Sequence, residues 1–476
     1  MNNNCLDILN SLIRLPTVSA QGLKTQPFKQ AVTLLTKILK TNGFNTFTDT
    51  INDNPIIYAE RTCLPAGRSS PNKPTILFYN HYDVQPAEPL KEWVSEPFEP
   101  VIRSGKLFGR GVSDNKGHFT SRLAAVKTFI DNKIPLPINV KFLLDGAEEI
   151  GSPGLAEFIR KYRSKLSADV CIWEYSKSNQ KGAPELSLGV KGIVYLELFV
   201  KTVNEDLHSS RGIIIPNPAW RLNWALASLK DSQERILIKG FYDDCLKPTD
   251  ADIKILSPDL LNESKTKKEV GIKKFLLGLS GKPLLRRYFY QPALNINGLT
   301  AGYQGPGHKT VLPKQASAKI DFRLVPDQNP DDIIRKLRRH LAEPQPRRSG
   351  INSVPPVPTN VGNYFGNSNG FNDIKIISSH GYPPARTRLN HPFMKKYLPM
   401  MNRIARAVYG KEFVIEPLSP ASGPMYLVTD YLKLPCLAIG IGNPNSNLHA
   451  PNENILLSDY AKGIKFLVEM FKQMSR

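Results

Sequence analysis

Four short apolar runs, each leading into an ionisable residue, constrain this chain more than any other feature. TILFYN (75–80) runs into His81, INVKFLLD (138–145) into Glu148 and Glu149, and DVCIW (169–173) into Glu174. PCLAIGI (435–441) leads into a loop that holds His449. Apolar runs of this length, without alternation, read as strands buried on both faces. Helical spacing lies around them. Val32, Leu35, Ile38 and Leu39 recur on one face, with Gly43 as a stop. Leu123, Val126, Phe129 and Ile130 do the same over 116–131. This alternation predicts an α/β unit: a mostly parallel sheet with helices on both faces. Ligands bind such sheets at the carboxyl ends of the strands.

Near residue 187 the period changes. GIVYLELFV (192–200) and KIDFRLV (319–325) alternate strictly, with Val194, Leu196, Leu198 and Val200 inward on the first and Ile320, Phe322 and Leu324 on the second. One face of these strands is buried and the other is not. Asn217-Pro218 and Asn329-Pro330 read as an N-cap followed by proline at the first helical position. The expected organisation is a first catalytic part over 1–186, an inserted smaller α+β unit over 187–384, and a second catalytic part over 385–476. The stretch 343–375 has no clear assignment.

Composition narrows the function classes. Lys plus Arg is 63 against 42 for Asp plus Glu, a net charge of +21. The basic runs Lys265–Lys274 and Arg335–Arg348 carry no interleaved aromatic platform, so they read as solvated surface and no nucleic-acid partner is expected. No run approaches the ~20 apolar residues needed to cross a bilayer, so no membrane partner is expected. The five widely spaced Cys form no CxxC pair, and the N-terminus lacks the regions of a signal peptide. A cytoplasmic protein with reduced thiols is expected.

The chemistry-bearing residues sit where the strands end. Asp83 follows His81 by two positions, and Asp114 stands in the glycine-rich turn GRGVSDNKG (109–117) before a helix. GRGVSDNKG is the more specific signal, since three glycines around one acid suggest a tight, functional backbone, and the others are weak alone. Glu148-Glu149 could be a solvated helix start, and His449 could be a satisfied loop histidine. Their joint placement after successive strands carries the inference. Two imidazoles and several carboxylates without a thiolate suit zinc, with manganese or cobalt as substitutes, in an open catalytic site.

The segments FYNHYDVQP (78–86), FGRGVSDNKG (108–117), LLDGAEEIGSPG (143–154), DLHSS (206–210), GHKTVLP (307–313), DFRLVP (321–326), PASGPM (420–425) and LHAPNEN (448–454) occur in this order. With them the chain resembles the zinc peptidase family of aminoacylase, carnosine dipeptidase, carboxypeptidase G and succinyl-diaminopimelate desuccinylase, most nearly its dipeptidase branch. The resemblance implies a ferredoxin-like dimerisation domain as the insert, a homodimer, and two zinc ions bridged by Asp114. His81 and Glu174 would complete one metal site, and Glu149 and His449 the other. Glu148 would be the general base, with Asp83 orienting His81. His208 and Thr310 would reach the partner subunit's site, while Arg323 and Ser422 would bind the substrate. The reading of Arg323 as a plain ion-pair partner in the sheet stands beside that role. A cis bond at Asp114–Asn115 is also implied. The implied reaction is hydrolysis of the amide bond of a dipeptide, or of the C-terminal residue of a short peptide. Deacylation of an N-acyl amino acid is the alternative, because Glu174 stands where the dipeptidases usually carry Asp.

Overall fold

The computed structural model describes residues 3–63, 73–343 and 370–475. Most of the unassigned stretch 343–375 falls outside them. The main strands, in chain order, begin with β1 (Asn45–Ile51), β2 (Asn54–Arg61), β3 (Thr75–His81), β4 (Asn139–Asp145), β5 (Val170–Trp173) and β6 (Glu185–Ser187). Then come β7 (Gly192–Lys201), β8 (Ala293–Ala301), β9 (Gln315–Leu324) and β10 (Lys375–Tyr382), and finally β11 (Val414–Glu416) and β12 (Cys436–Ala438). The first six and the last two make one eight-stranded sheet, ordered β1-β2-β4-β3-β5-β12-β6-β11. The other four make a second sheet, ordered β8-β9-β7-β10.

The large sheet is mixed, which corrects the expectation of a mostly parallel one. Its centre, β4-β3-β5-β12, is parallel, as is the β6–β11 pair. β1 and β2 form a hairpin, and β2 runs antiparallel to β4. The cause is local. Asn52 and Asp53 both take positive φ, 51° and 64°, as a two-residue type I′ turn requires, and so short a turn can only return the chain antiparallel.

Helices cover both faces, as the sequence predicts. The main ones are α1 (Gln26–Thr41), α2 (Lys116–Asp131), α3 (Pro218–Leu229), α4 (Pro330–Ala342), α5 (Pro392–Tyr409) and α6 (Leu457–Met474). Phe28, Phe119, Met401 and Phe471, from α1, α2, α5 and α6, pack against Phe78, Phe142 and Ile172 of the sheet. On the opposite face Leu77, Tyr79 and Leu143 lie under the short helix Leu155–Lys161. Alternate residues of β3 therefore serve two cores, which is why TILFYN shows no period. The helix α2 departs from its one-sided pattern. Its first twelve residues are all buried, among them Lys116, His118, Arg122 and Lys127.

The second sheet is antiparallel throughout and built in the order β7-α3-β8-β9-α4-β10, a β-α-β-β-α-β ferredoxin-like path. Val194, Leu196, Ile320, Phe322 and Leu324 face Leu222 of α3 and Ile333 and Leu337 of α4. The side chains of Asn217 and Asn329 cap these helices, with Pro218 and Pro330 at the first position. All five cysteines are free, and no helix among the described residues is long and apolar enough to cross a membrane.

Phe142 is fully buried, with Phe44, Phe78 and Phe119 rings each 5.4 Å from its own. Phe142→Ala removes the ring that joins three others. It should cost about 3–5 kcal/mol, read as a lower urea midpoint at unchanged slope. A loss under about 1 kcal/mol would show that the core closes over the gap.

Candidate metal centre

The carboxyl end of β3 delivers His81, and the residues after it fix the ring. Asp83 Oδ1 lies 3.2 Å from His81 Nδ1, so Nε2 is the free face of the imidazole. The same carboxylate accepts the backbone N–H of Glu148 at 3.1 Å and of Glu149 at 3.0 Å. One fully buried aspartate thus ties the loop after β3 to the turn after β4. Both join at the sheet centre because β3 and β4 are parallel neighbours in register, His81 opposite Asp145.

Asp114 lies between two imidazoles. Its Oδ1 is 3.0 Å from His81 Nε2 and its Oδ2 is 3.1 Å from His449 Nε2. His449 Nε2 is also 3.3 Å from Glu149 Oε2, and His81 Nε2 is 3.9 Å from Glu174 Oε2. The five residues named as ligands from the sequence therefore meet in one cleft. Glu148 joins them: ligand atoms of His81, Glu148 and Glu174 lie within 4.8 Å of one another, as do those of His81, Asp114 and Glu149. The Asp114–Asn115 peptide is cis, as expected.

Electrostatics follow from this crowding. Burial alone would lower the His81 imidazole, but Asp114 and Asp83 hold it well above its ordinary value. His449 is pushed up to about 10 by Asp114 and Glu149. Loss of solvent would raise the half-buried Asp114 carboxyl, yet His449 and His81 hold it far below the carboxylate range. Glu174 goes the other way, to about 8, through burial and its acidic neighbours. Burial and Glu174 likewise push Glu148 well up. Two carboxylate oxygens, Glu149 Oε1 and Glu174 Oε2, are buried without a hydrogen-bond partner. Unpartnered buried carboxylate oxygens are costly unless a cation meets them. The donor set, nitrogen and oxygen with no sulfur, fits a borderline or hard divalent ion.

The remaining sequence candidates fall into two pairs. Arg323 Nη1 donates to Ser422 Oγ at 3.0 Å, and Ser422 lines the same cavity of about 570 Å³ as Asp114, Glu148 and His449. Arg323 also lies 3.3 Å from Asp321 within the sheet, so the ion-pair reading and the clamp reading coexist. His208 and Thr310 meet each other, 3.3 Å apart, where the short strand Leu207–His208 pairs with Val311–Leu312 just after Thr310. Both are exposed and neither lines that cavity.

Sequence reasoning missed what holds the candidate ligands. Glu453 is fully buried and receives four donors: Ser113 N and Asp114 N on one oxygen, Gly111 N and Arg110 Nη1 on the other, all at 2.8–2.9 Å. It links the loop of Asp114 to the loop of His449, four residues away. Its signal lay inside LHAPNEN. Arg122 of α2 donates to Tyr79 O and to Asn80 Oδ1, both at 2.7 Å, and to Glu174 O at 3.1 Å. It gathers the ends of β3 and β5, and only the assembled sheet reveals that.

With this geometry in view, a family model described as Peptidase family M20/M25/M40 matches residues 77–473. The chain belongs to that family. The Beta-Ala-His dipeptidase of Rattus norvegicus is 29% identical over 430 residues, covering 89% of this chain and 80% of its own. The Cys-Gly metallodipeptidase DUG1 of Saccharomyces cerevisiae is 27% identical, covering 98% and 94%. Among solved structures, the M20 family metallo-carboxypeptidase Sso-CP2 from Sulfolobus solfataricus superposes with a TM-score of 0.82 at 33% identity, covering 99% of both chains. The protein is thus a metallopeptidase by family, and divalent-metal binding belongs to that class.

Glu453→Gln keeps the shape but turns a four-fold acceptor into an amide. One of its atoms must then face donors. It should lower stability by about 3 kcal/mol and cut metal retention after dialysis, read by elemental analysis. Full metal retention would remove Glu453 from any part in holding the site.

Proposed function

We propose that the cleft holds two zinc ions, or manganese or cobalt in their place, and hydrolyses an amide bond in a small substrate with a free carboxylate. The substrate is a dipeptide or the C-terminal residue of a short peptide. The single observation that carries this is the Asp114 carboxylate with one oxygen toward His81 and the other toward His449. A bridging role needs that arrangement. His81 and Glu174 would hold one ion, Glu149 and His449 the other. Ions bound there supply a polarised scissile carbonyl and a water acidified to near neutrality.

The chain's own groups do the rest. Glu148 takes the proton from the attacking water and returns it to the leaving amine. Its burial suits that task, because a carboxyl held above its ordinary value can carry a proton at neutral pH. Asp83 keeps Nδ1 of His81 occupied, so Nε2 stays turned to the centre. The guanidinium of Arg323, set by Ser422, would pair with the substrate carboxylate. A cavity of about 570 Å³ accommodates a dipeptide.

A homodimer fits this reading. His208 and Thr310 form an exposed pair that does not line their own cleft, and in a dimer they would serve the partner's. The edge strand β8 leaves Ile296 and Leu299 more than half exposed. The inserted unit over 187–384 would then be the dimerisation domain. An N-acyl-amino-acid deacylase is the second reading, favoured by Glu174 where dipeptidases usually have Asp. The clamp serves both, and a panel of dipeptides, blocked tripeptides, and N-acetyl and N-succinyl amino acids separates them.

Glu148→Gln should retain metal while kcat falls at least about a hundredfold. Near-normal turnover would dismiss Glu148 as the base. Mixing His208→Ala with Glu148→Ala subunits should restore activity, since one site in each heterodimer then has both groups. Mixtures as inactive as either parent would rule out action across the dimer.

A further inference from the structure

The cleft has a second polar wall that the metal centre does not use. Glu185 lies on β6 and Glu416 on β11. These strands are parallel, with Glu185 opposite Val414 and Ser187 opposite Glu416. Residues two apart on a strand share a face, so both carboxylates project from the same side of the sheet. Both line the cavity that contains Asp114, Glu148 and His449. Leu260, Leu261 and Tyr288, brought by the long connection between α3 and β8, also line it.

These acids are under-compensated. Burial pushes the Glu185 carboxyl up to about 7, with Lys177 opposing the shift and Glu416 adding to it. Glu416 is pushed up by burial too, while Ser187 and Lys177 face it. Lys177 is exposed, and among the described residues neither carboxylate forms an ion pair within 4 Å. Two buried carboxyls facing one ammonium that lies beyond ion-pair distance leave this wall short of positive charge. That is unexpected in a chain with 63 Lys and Arg against 42 acids, where surface partners abound. The rings beside it strengthen the sign. Tyr288 faces Glu416, and Trp173 and Tyr175 line the same cavity. Aromatic faces attract cations.

We propose that Glu185 and Glu416 form a subsite for a cation, an ammonium or guanidinium, carried by the acyl half of the substrate. The inference rests on the hydrolase reading above and deepens it. Coulomb's law orients the substrate: a carboxylate is drawn to Arg323 and repelled by Glu185 and Glu416, so the opposite end turns to the acids. The wall does not end at one residue. Lys177, Glu185, Leu260 and Leu261 also line an adjoining cavity of about 790 Å³, which leaves room beyond the acyl residue. The cation can therefore come from a lysine or arginine side chain or from a free α-amine.

Four peptides separate these sources: Lys-Leu, Met-Leu and their N-acetyl forms. The metal-loaded enzyme should prefer N-acetyl-Lys-Leu over N-acetyl-Met-Leu by about tenfold in kcat/KM if the side chain is read. It should prefer Met-Leu over N-acetyl-Met-Leu by a similar factor if the α-amine is read. Glu185→Gln and Glu416→Gln should each shrink whichever ratio is large, by about fivefold, through KM more than kcat. Ratios near one in the unaltered enzyme, or ratios untouched by both substitutions, overturn the subsite while leaving the hydrolase intact. If no peptide is cleaved, the hydrolase reading falls instead. Calorimetric binding of lysinamide against norleucinamide, to the unaltered protein and to the double variant, then decides the subsite. Tighter lysinamide binding that the variant loses supports it, and equal binding overturns it.

Discussion

Four carboxylates, those of Asp114, Glu148, Glu149 and Glu174, converge on one cleft, and their mutual repulsion is the constraint around which the catalytic unit is arranged. Like charges at such range repel strongly, and ligand atoms of Glu148 and Glu174, and of Asp114 and Glu149, lie within 4.8 Å of each other. The chain answers with two imidazoles set against opposite oxygens of one aspartate. It does not answer with Lys or Arg, since none forms an ion pair with these four acids among the described residues. The strong cations sit one layer back instead, with Arg110 on Glu453 and Arg122 on the strand ends. That leaves the centre itself for divalent ions.

Holding mutually repelling groups together requires anchors that do not depend on the groups themselves. Here the anchors are backbone hydrogen bonds. Asp83 accepts two N–H groups from the Glu148–Glu149 turn, and Glu453 accepts three from the loop of Asp114. N–H donors satisfy the oxygens that burial would otherwise leave without partners. These two acids stand at all four of the segments that carry His81, Glu149, Asp114 and His449. The separation of labour has a physical logic. Acids that face the cleft must keep oxygens free, and acids behind it must spend every oxygen on the scaffold.

Much of the architecture was readable from residue patterns. The apolar runs ending at His81, Asp145 and Trp173 became the parallel centre of the sheet, and strict alternation in 192–200 became one side of a separate antiparallel core. The antiparallel hairpin escaped because its evidence is a turn, Asn52-Asp53, and not a period. The helix α2 differs from its one-sided apolar pattern because Lys116, His118 and Arg122 are buried as well. A charged residue looks the same in sequence whether it meets water or the carbonyl ends of two strands.

The sequence by itself determined which chemical groups are present, in what order, and which strand end would carry each. Those properties are local: a run of apolar residues makes a strand, and the next polar residue stands at its end. Only the tertiary structure decided that Asp114 lies between His81 and His449, that Glu453 clamps the loop of one to the loop of the other, and that Glu185 and Glu416 share a wall with the metal centre. Residues 335 positions apart meet at 3.1 Å because strand order and helix packing bring two loops to one edge. No local rule contains that distance.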